Sequence, residues 1–561
     1  MEQPLSYAHG IPLADETGCG PLTLGGYLQE VTRRHGPAEA AVIHLADRSE
    51  RWTYSDLWDH SLRVARALRS SGVGKGTRVG IVMTNRLEFL SCLFGTALAG
   101  GVATAISTFF TGPELDEVLR ASGCSVLLME RRVLKKDFVQ ILAELEPLIL
   151  SSKPGKLASL RFPFLRHIVS IEDVPDQGAV QGWQAFLARG EAVPPAVIEG
   201  AAAAVTPADP GLLFFSSGST GKAKGILTAH RSVCLQLWRW TQWYGFTQPP
   251  RTWSANGFFF SGNFSMTLGA ALSSGGCIVL QRWFDPAEAV DLIAREKVTH
   301  PLAWPHQWPQ LESAPGYQDA DFSALREVDG NFPLARHPTV NARWAEPGHA
   351  YGSTETFTLI TVYPGGTPDS VTRGSHGLPT AGSTVKIVNP DTGDAVPLGE
   401  RGEVAVKGPT LMLGYIGIPI DETLDDQGFF RTGDGGYLDE EGRLFWQGRL
   451  SDIIKTGGAN VSPIEIDEVL ASCPGVKIVR TVGVPDPLLG ELVVACIVPH
   501  EHGAVREEAV RDFAKSRLAS FKVPRRVLFF DEGEMSLTGS AKIKTGKLRE
   551  VAALRLQALT A

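Results

Sequence analysis

Apolar and polar positions follow one another in two rhythms along the chain. The stretch LWDHSLRVARALRSSG, from Leu57, places apolar residues three and four apart and stops at Gly72, the spacing of an amphipathic helix. TRVGIVM follows as a short apolar run, as expected of a strand covered on both faces. This helix-then-strand rhythm recurs through Leu280 and predicts parallel α/β layers. No charge occurs from residue 89 to residue 113, long enough to suggest a membrane span of ~20 residues. Gly95, Gly100 and Gly101 interrupt it, so FLSCLFGTALA is read as a buried helix, GG as a turn and VATAI as a buried strand. AAAAV at residues 201–205 reads as a short linker.

After about Gly374 the texture changes to short β-like runs broken by Gly, Pro and Asp-Thr-Gly turns. That predicts a small, mostly antiparallel β subdomain. A second change comes near Gly448. IEIDEVLASCPGV, with Pro463 near its start, and VREEAVRDFAKSRLASF read as helices; VVACIV and RRVLFF read as strands. The expected organisation is α/β throughout. A large N-terminal domain of layered α/β subdomains occupies residues 1–449, its β-rich part at about 375–449. A small α/β C-terminal domain occupies residues 450–561, large enough to fold separately.

Composition narrows the function. The chain has 561 residues, 43% hydrophobic and 20% charged, with a net charge of −8. No global basic field invites nucleic acid, so an anionic substrate must be held by local donors. The seven cysteines are widely spaced and form no C-x-x-C pair. They read as small buried hydrophobes in a reducing cytosol, and the N-terminus lacks a signal pattern. A cytoplasmic protein without a transmembrane segment is expected.

The chemistry is concentrated in LLFFSSGSTGKAKG. An apolar strand feeds a loop of Ser216, Ser217, Gly218, Ser219, Thr220, Gly221, Lys222 and Lys224. Glycines let backbone approach a polyphosphate, the hydroxyls and N–H groups donate, and the lysines add charge. The spacing is not that of a Walker loop. The loop resembles the nucleotide loop of the acyl-adenylate-forming superfamily, which includes acyl-CoA synthetases, nonribosomal peptide adenylation domains and beetle luciferases. Ala223 stands where that family usually has proline. TAHR, residues 228–231, also fits, and the resemblance runs from WTYSDL (residues 52–57) to the late TGKL.

The resemblance implies roles for further residues. Tyr351-Gly352-Ser353-Thr354-Glu355 is similar to the family's Y-G-x-T-E: the tyrosine on adenine, Thr354 at the α-phosphate and Glu355 on Mg²⁺, with Thr220 as a second candidate ligand. Gly330-Asn331-Phe332 occupies the place of a strand-turn along adenine, with Phe332 where a small residue is usual. Asp434, in a G-[WF]-x-x-T-G-D match, and Arg449 would take the ribose. Ser451 sits at the hinge position of a C-terminal domain that swings between half-reactions. Lys455, Gly457 and Gly458 would line the pantetheine tunnel. Lys547, in Thr545-Gly546-Lys547-Leu548, matches the lysine at the reacting carboxylate and α-phosphate. A fixed cation there offsets charge built as two anions meet.

Residues 253–267, WSANGFFFSGNFSMT, fall where relatives place the acyl pocket. Phe259, Phe260, Asn263 and Trp304 are the candidate lining residues. No Asp or Glu lies between Arg251 and Gln281, so an amino acid's ammonium would be unpaired there. The resemblance therefore implies an ATP-dependent acid–CoA ligase for an apolar aliphatic or aromatic acid, using ATP, Mg²⁺ and coenzyme A. Delivery to a carrier protein, a non-catalytic binding role and a homodimer are left open.

Overall fold

The computed structural model describes residues 3–172, 178–217, 223–305, 307–341, 344, 350–456, 459–501, 505–518, 520–535 and 545–560. The chain packs as two compact units. One comprises residues 9–384 and 407–430; the other comprises residues 1–8, 385–406 and 431–561.

The larger unit holds two main sheets. In the eight-stranded sheet the strands run Val180–Gly182, His167–Ser170, Val126–Met129, Arg78–Val82, Val102–Ala105, Pro210–Ser217, Ala223–Ala229 and Gly414–Tyr415. Pairing is parallel up to Pro210–Ser217 and antiparallel across the last two neighbours. The five-stranded sheet runs His300–Leu302, Arg251–Ser254, Cys277–Leu280, Glu39–His44 and Ser49–Thr53, parallel except at the final pair. One apolar cluster joins Ile81, Ala103 and Phe214 of the first sheet to Ala41 and Ile278 of the second.

Helices Leu24–His35, Tyr54–Ser70 and Leu87–Leu98 contribute to that cluster. Tyr54–Ser70 starts on a capping box made by Thr53 and Asp56, which satisfies two otherwise orphaned donors. The charge-free stretch resolves as expected. Leu87–Leu98 is a helix with eleven buried residues, followed by the strand Val102–Ala105, and apolarity all round marks a core helix. The residue 201–205 reading is corrected: Ala201–Ala203 close the helix Pro195–Ala203, because alanine is the best helix former. No helix among the described residues is long and apolar enough to cross a membrane.

The smaller unit contains a five-stranded sheet in the order Tyr7–His9, Thr384–Val388, Gly402–Lys407, Phe430–Leu438 and Leu444–Arg449. Its second sheet is built from Ala459–Val461, Ile454–Thr456, Gly490–Pro499 and Val476–Asp486, with Arg526–Phe529 parallel to Gly490–Pro499. Helices Pro463–Ala471, Glu507–Lys515 and Thr545–Thr560 complete it. The edge at residues 4–7 was not expected. Ser6 donates its N–H to Val396 O at 2.8 Å and accepts from Ile387 N at 3.1 Å.

Candidate active site

In the larger unit the hydroxyl-rich loop joins two strands of a hairpin. Ser216 pairs with Lys224 and Ser217 with Ala223 across it. Gly218, Ser219, Thr220, Gly221 and Lys222 lie outside the described residues, as do the side chains of Ser216 and Ser217. The return strand Ala223–Ala229 pairs on its other side with Gly414–Tyr415, Ile226 facing Tyr415. Lys224 Nζ lies 5.0 Å from the centroid of the Tyr415 ring, in cation–π range. The Tyr415 hydroxyl donates to Glu355 Oε1 at 2.7 Å, and Met412 N donates to Glu355 O at 2.7 Å. The loop strand, Lys224 and Glu355 are thus brought together through a tyrosine that no motif had singled out.

Tyr351 to Glu355 start on the strand Ala350–Ser353, which turns back into Thr358–Val362. The turn is tight. A Cβ on Gly352 would stand 1.8 Å from Thr358 O, so no side chain fits there. Phe357 and Thr358 take positive φ values of 45° and 80°, conformations that cost about 1–3 kcal/mol for residues of this kind. Two groups hold them: Phe357 is fully buried against Phe214 and Phe264, and Thr356 Oγ1 bridges Ser353 N at 2.9 Å and Thr358 O at 2.6 Å. Tyr351 is buried.

Thr354 connects this turn to the expected acyl segment, because Ser261 Oγ donates to Thr354 Oγ1 at 3.2 Å. Ser261 opens the helix Ser261–Leu272. Its preceding phenylalanines divide. Phe258 is core, packed on Phe89. Phe259 and Phe260 meet at 4.7 Å, and both touch Phe109, at 5.3 and 6.4 Å. Phe109 is 48% exposed and lies 150 residues away in sequence, where nothing local marked it.

Asn263 is buried and spends its amide on the fold. Nδ2 donates to Asn256 O at 2.6 Å, and Oδ1 accepts from Ser254 Oγ and from Thr267 Oγ1. Trp304 joins the same network through Gln307, which accepts from Trp304 N at 2.7 Å and donates to Asn256 at 3.3 Å. The Trp304 indole N–H is buried without a hydrogen-bond partner among the described residues.

Gly330 and Asn331 lie in a turn, not a strand: Asn331 N donates to Asp329 Oδ1 at 2.8 Å, and a 3₁₀ helix follows over Pro333–Arg336. Space around Gly330 is open, with nothing within 4 Å of a Cβ built there. Phe332 stacks on Trp308 at 4.8 Å, so the residue that departs from the family pattern is packed as a partly buried aromatic. His230, at the start of helix His230–Tyr244, accepts Leu24 N–H at Nδ1 over 3.2 Å. Burial drives its pKa down to about 4, so the ring is neutral.

In the smaller unit Asp434 and Arg449 pair across neighbouring strands. Arg449 Nε is 3.1 Å from Asp434 Oδ1, and its Nη1 donates to Thr432 O at 2.7 Å. The carboxylate side chain is 6% exposed and the guanidinium 52%, so the arginine presents charge outward while fixing the acid. Ser451 is exposed on the 3₁₀ turn Leu450–Asp452. Lys455 is exposed on the strand Ile454–Thr456, its N–H donating to Glu491 at 2.8 Å. Gly457 and Gly458 lie outside the described residues. Lys547 is in the first turn of Thr545–Thr560, 59% exposed and 3.9 Å from Glu550, while the neighbouring Leu548 is buried.

The chain matches known proteins over most of its length. Residues 28–416 match the model of the AMP-binding enzyme family, and residues 465–542 match that of the AMP-binding enzyme C-terminal domain. The chain is similar to a feruloyl-CoA synthase of Amycolatopsis sp, 30% identical over 508 residues, spanning 89% of this chain and 93% of that protein. It is similar to an indoleacetate–CoA ligase of Aromatoleum aromaticum, 29% identical and spanning 94% and 98%. Its fold superposes on the anthranilate CoA ligase AuaEII, solved with anthranoyl-AMP, with a TM-score of 0.75 at 23% identity, covering 98% and 100%. With motifs in order from hairpin to C-terminal lysine, and relatives aligned almost end to end, the chain belongs to the AMP-binding enzyme family.

Proposed function

We propose that this chain is an ATP-dependent, AMP-forming acid–CoA ligase for an apolar, aliphatic or aromatic carboxylic acid. In the first half-reaction the acid's carboxylate oxygen bonds to the α-phosphorus of ATP and pyrophosphate leaves. In the second, the CoA sulfur bonds to the acyl carbon, AMP leaves, and the thiol proton passes to solvent. The observation that carries the reading is one contiguous set of residues: the hydroxyl-rich hairpin with Lys224, then Tyr415, Glu355, Thr354 and Ser261, ending at Phe260. This set supports the reading because a ligase of this kind needs a phosphate site next to an apolar wall without a carboxylate.

In this reading Ser216, Ser217 and the loop glycines cradle the β- and γ-phosphates. Thr354 donates to the α-phosphate. Tyr351 and Gly330 flank the base. Asp434, held by Arg449, accepts from the ribose hydroxyls. Glu355 suits Mg²⁺, because a carboxylate steadied by a tyrosine hydroxyl offers the hard oxygen ligand that ion prefers; bound Mg²⁺ would neutralise charge on the phosphates. Phe259, Phe260 and Phe109 wall the acyl chain, and Asn263 acts by holding their segment in place. Lys547 neutralises charge during adenylation, and rotation near Ser451 exchanges it for the Lys455–Gly458 face.

The test is pyrophosphate release from a panel of carboxylic acids, with and without CoA. Aryl and alkyl acids should release pyrophosphate and, with CoA, yield thioester; release from amino acids alone would overturn the substrate class. Lys547→Ala should slow adenylation by ~10²–10³ and leave thioester formation from supplied acyl-adenylate intact. Equal loss of both half-reactions would remove Lys547 from this role.

A further inference from the structure

We propose that residues 147–166 form a docking face for an anionic lipid bilayer, an inference that stands apart from the ligase reading. These twenty residues carry Lys153, Lys156, Arg161 and Arg166 and no carboxylate. The segment is firmly placed. Ile149, Leu157, Phe162 and Leu165 are buried in the cluster beneath the outer part of the eight-stranded sheet. Ile149 O accepts from Ala179 N at 2.6 Å, and Arg166 N donates to Ser125 O at 2.9 Å. These bonds run the segment along the amino-terminal ends of three neighbouring strands, which begin at Val126, His167 and Val180.

With the inward positions filled, other apolar side chains face out. Leu160 is 99% exposed and Phe164 62%, with Leu148 at 44% and Leu150 at 47%. The fold gains almost nothing from Leu160, since it is almost fully exposed and a polar residue there would leave the buried anchors unchanged. Leu160 lies between Ser159, whose hydroxyl bonds the Glu146 carboxylate, and Phe162, whose N–H donates to Ser159 Oγ at 2.9 Å, so it cannot turn inward without breaking that turn.

The charge around these side chains selects the occupant. Arg161 shares Asp116 with Arg120. Lys153, Lys156 and Arg166 have no carboxylate partner among the described residues. Outward Leu and Phe near Lys153, Lys156 and Arg166, none of them paired with a carboxylate among the described residues, suit the interface of an anionic membrane, where apolar groups enter the acyl boundary and lysines reach the headgroups. A second copy of the same face would instead bring like charges together.

The test uses the full chain with vesicles of phosphatidylcholine, alone or mixed with phosphatidylglycerol. The chain should sediment with the mixed vesicles, weakly with phosphatidylcholine alone, and less as salt is raised. The double variants Leu160→Ser/Phe164→Ser and Lys153→Ala/Lys156→Ala should each weaken binding about tenfold or more, with pyrophosphate release on a water-soluble acid unchanged. A chain that stays in the supernatant with mixed vesicles overturns the proposal. So does equal binding by either double variant, or equal binding to both vesicle types. A fall in oligomeric mass in Leu160→Ser/Phe164→Ser also overturns it and gives the face to a second copy.

Discussion

At the scale of single residues, Tyr415 changes how the site is understood. Glu355 sits in a recognisable motif, and the proposed role on Mg²⁺ would need its carboxylate fixed in direction. The Tyr415 hydroxyl supplies that at 2.7 Å, while its ring lies under Lys224. Groups that orient a metal ligand are typically worth ~10–100-fold in metal affinity or activity. Tyr415→Phe keeps the ring beside Lys224 and removes only the donor. It should raise the Mg²⁺ concentration for half-maximal pyrophosphate release about tenfold at saturating ATP. An unchanged Mg²⁺ dependence would mean that Glu355 is oriented without it. Asn263 gives the opposite lesson: a polar residue that reads as pocket lining is occupied at both ends of its amide by the fold.

At the scale of elements, two glycines of the expected nucleotide site differ in physical meaning. Gly352 lies where the strand Ala350–Ser353 almost touches the returning backbone, and even one methyl would overlap Thr358 O. Gly330 has open space around it. Gly352→Ala should therefore cost about 1–3 kcal/mol of stability, read as a lowered denaturant midpoint, along with activity. Gly330→Ala should leave stability within roughly 0.5 kcal/mol and raise KM for ATP if adenine lies along that turn. Similar stability losses for both would contradict the contrast. The hairpin Pro210–Ala229 was legible as strand and loop because its apolar run and glycines are local signals. Its partner Gly414–Tyr415, far along the chain, was not, since pairing across such a distance is decided by packing.

At the scale of the whole molecule, buried imidazoles make stability depend on pH. Burial holds His230 and His167 down at about 4 and His300 at about 3, below the ordinary value near 6.5. Their contribution is present above pH ~6.5 and is lost as pH falls toward the folded values, because the unfolded chain takes up protons first. His230 contributes on the order of 3 kcal/mol at most. The unfolding midpoint should drop steadily from neutral pH to about pH 4.5. His230→Asn, which keeps an acceptor for Leu24 N–H, should flatten that slope; an identical slope would rule His230 out as a contributor. By itself the sequence determined the layered α/β class, the buried helix Leu87–Leu98 and the chemical character of the loop, the Y-G-S-T-E turn and the late lysine. The class and the helix rest on periodicity and glycine placement, the loop's character on donor type within a short window, and the turn and the lysine on their resemblance to family motifs. Tertiary structure alone decided that residues 4–7 edge the sheet of the smaller unit, that Phe109 joins Phe259 and Phe260, that Tyr415 steadies Glu355 and that Leu160 and Phe164 face outward. These contacts join residues distant in sequence, or separate neighbours of equal hydrophobicity. Only the competition for buried space distinguishes such cases.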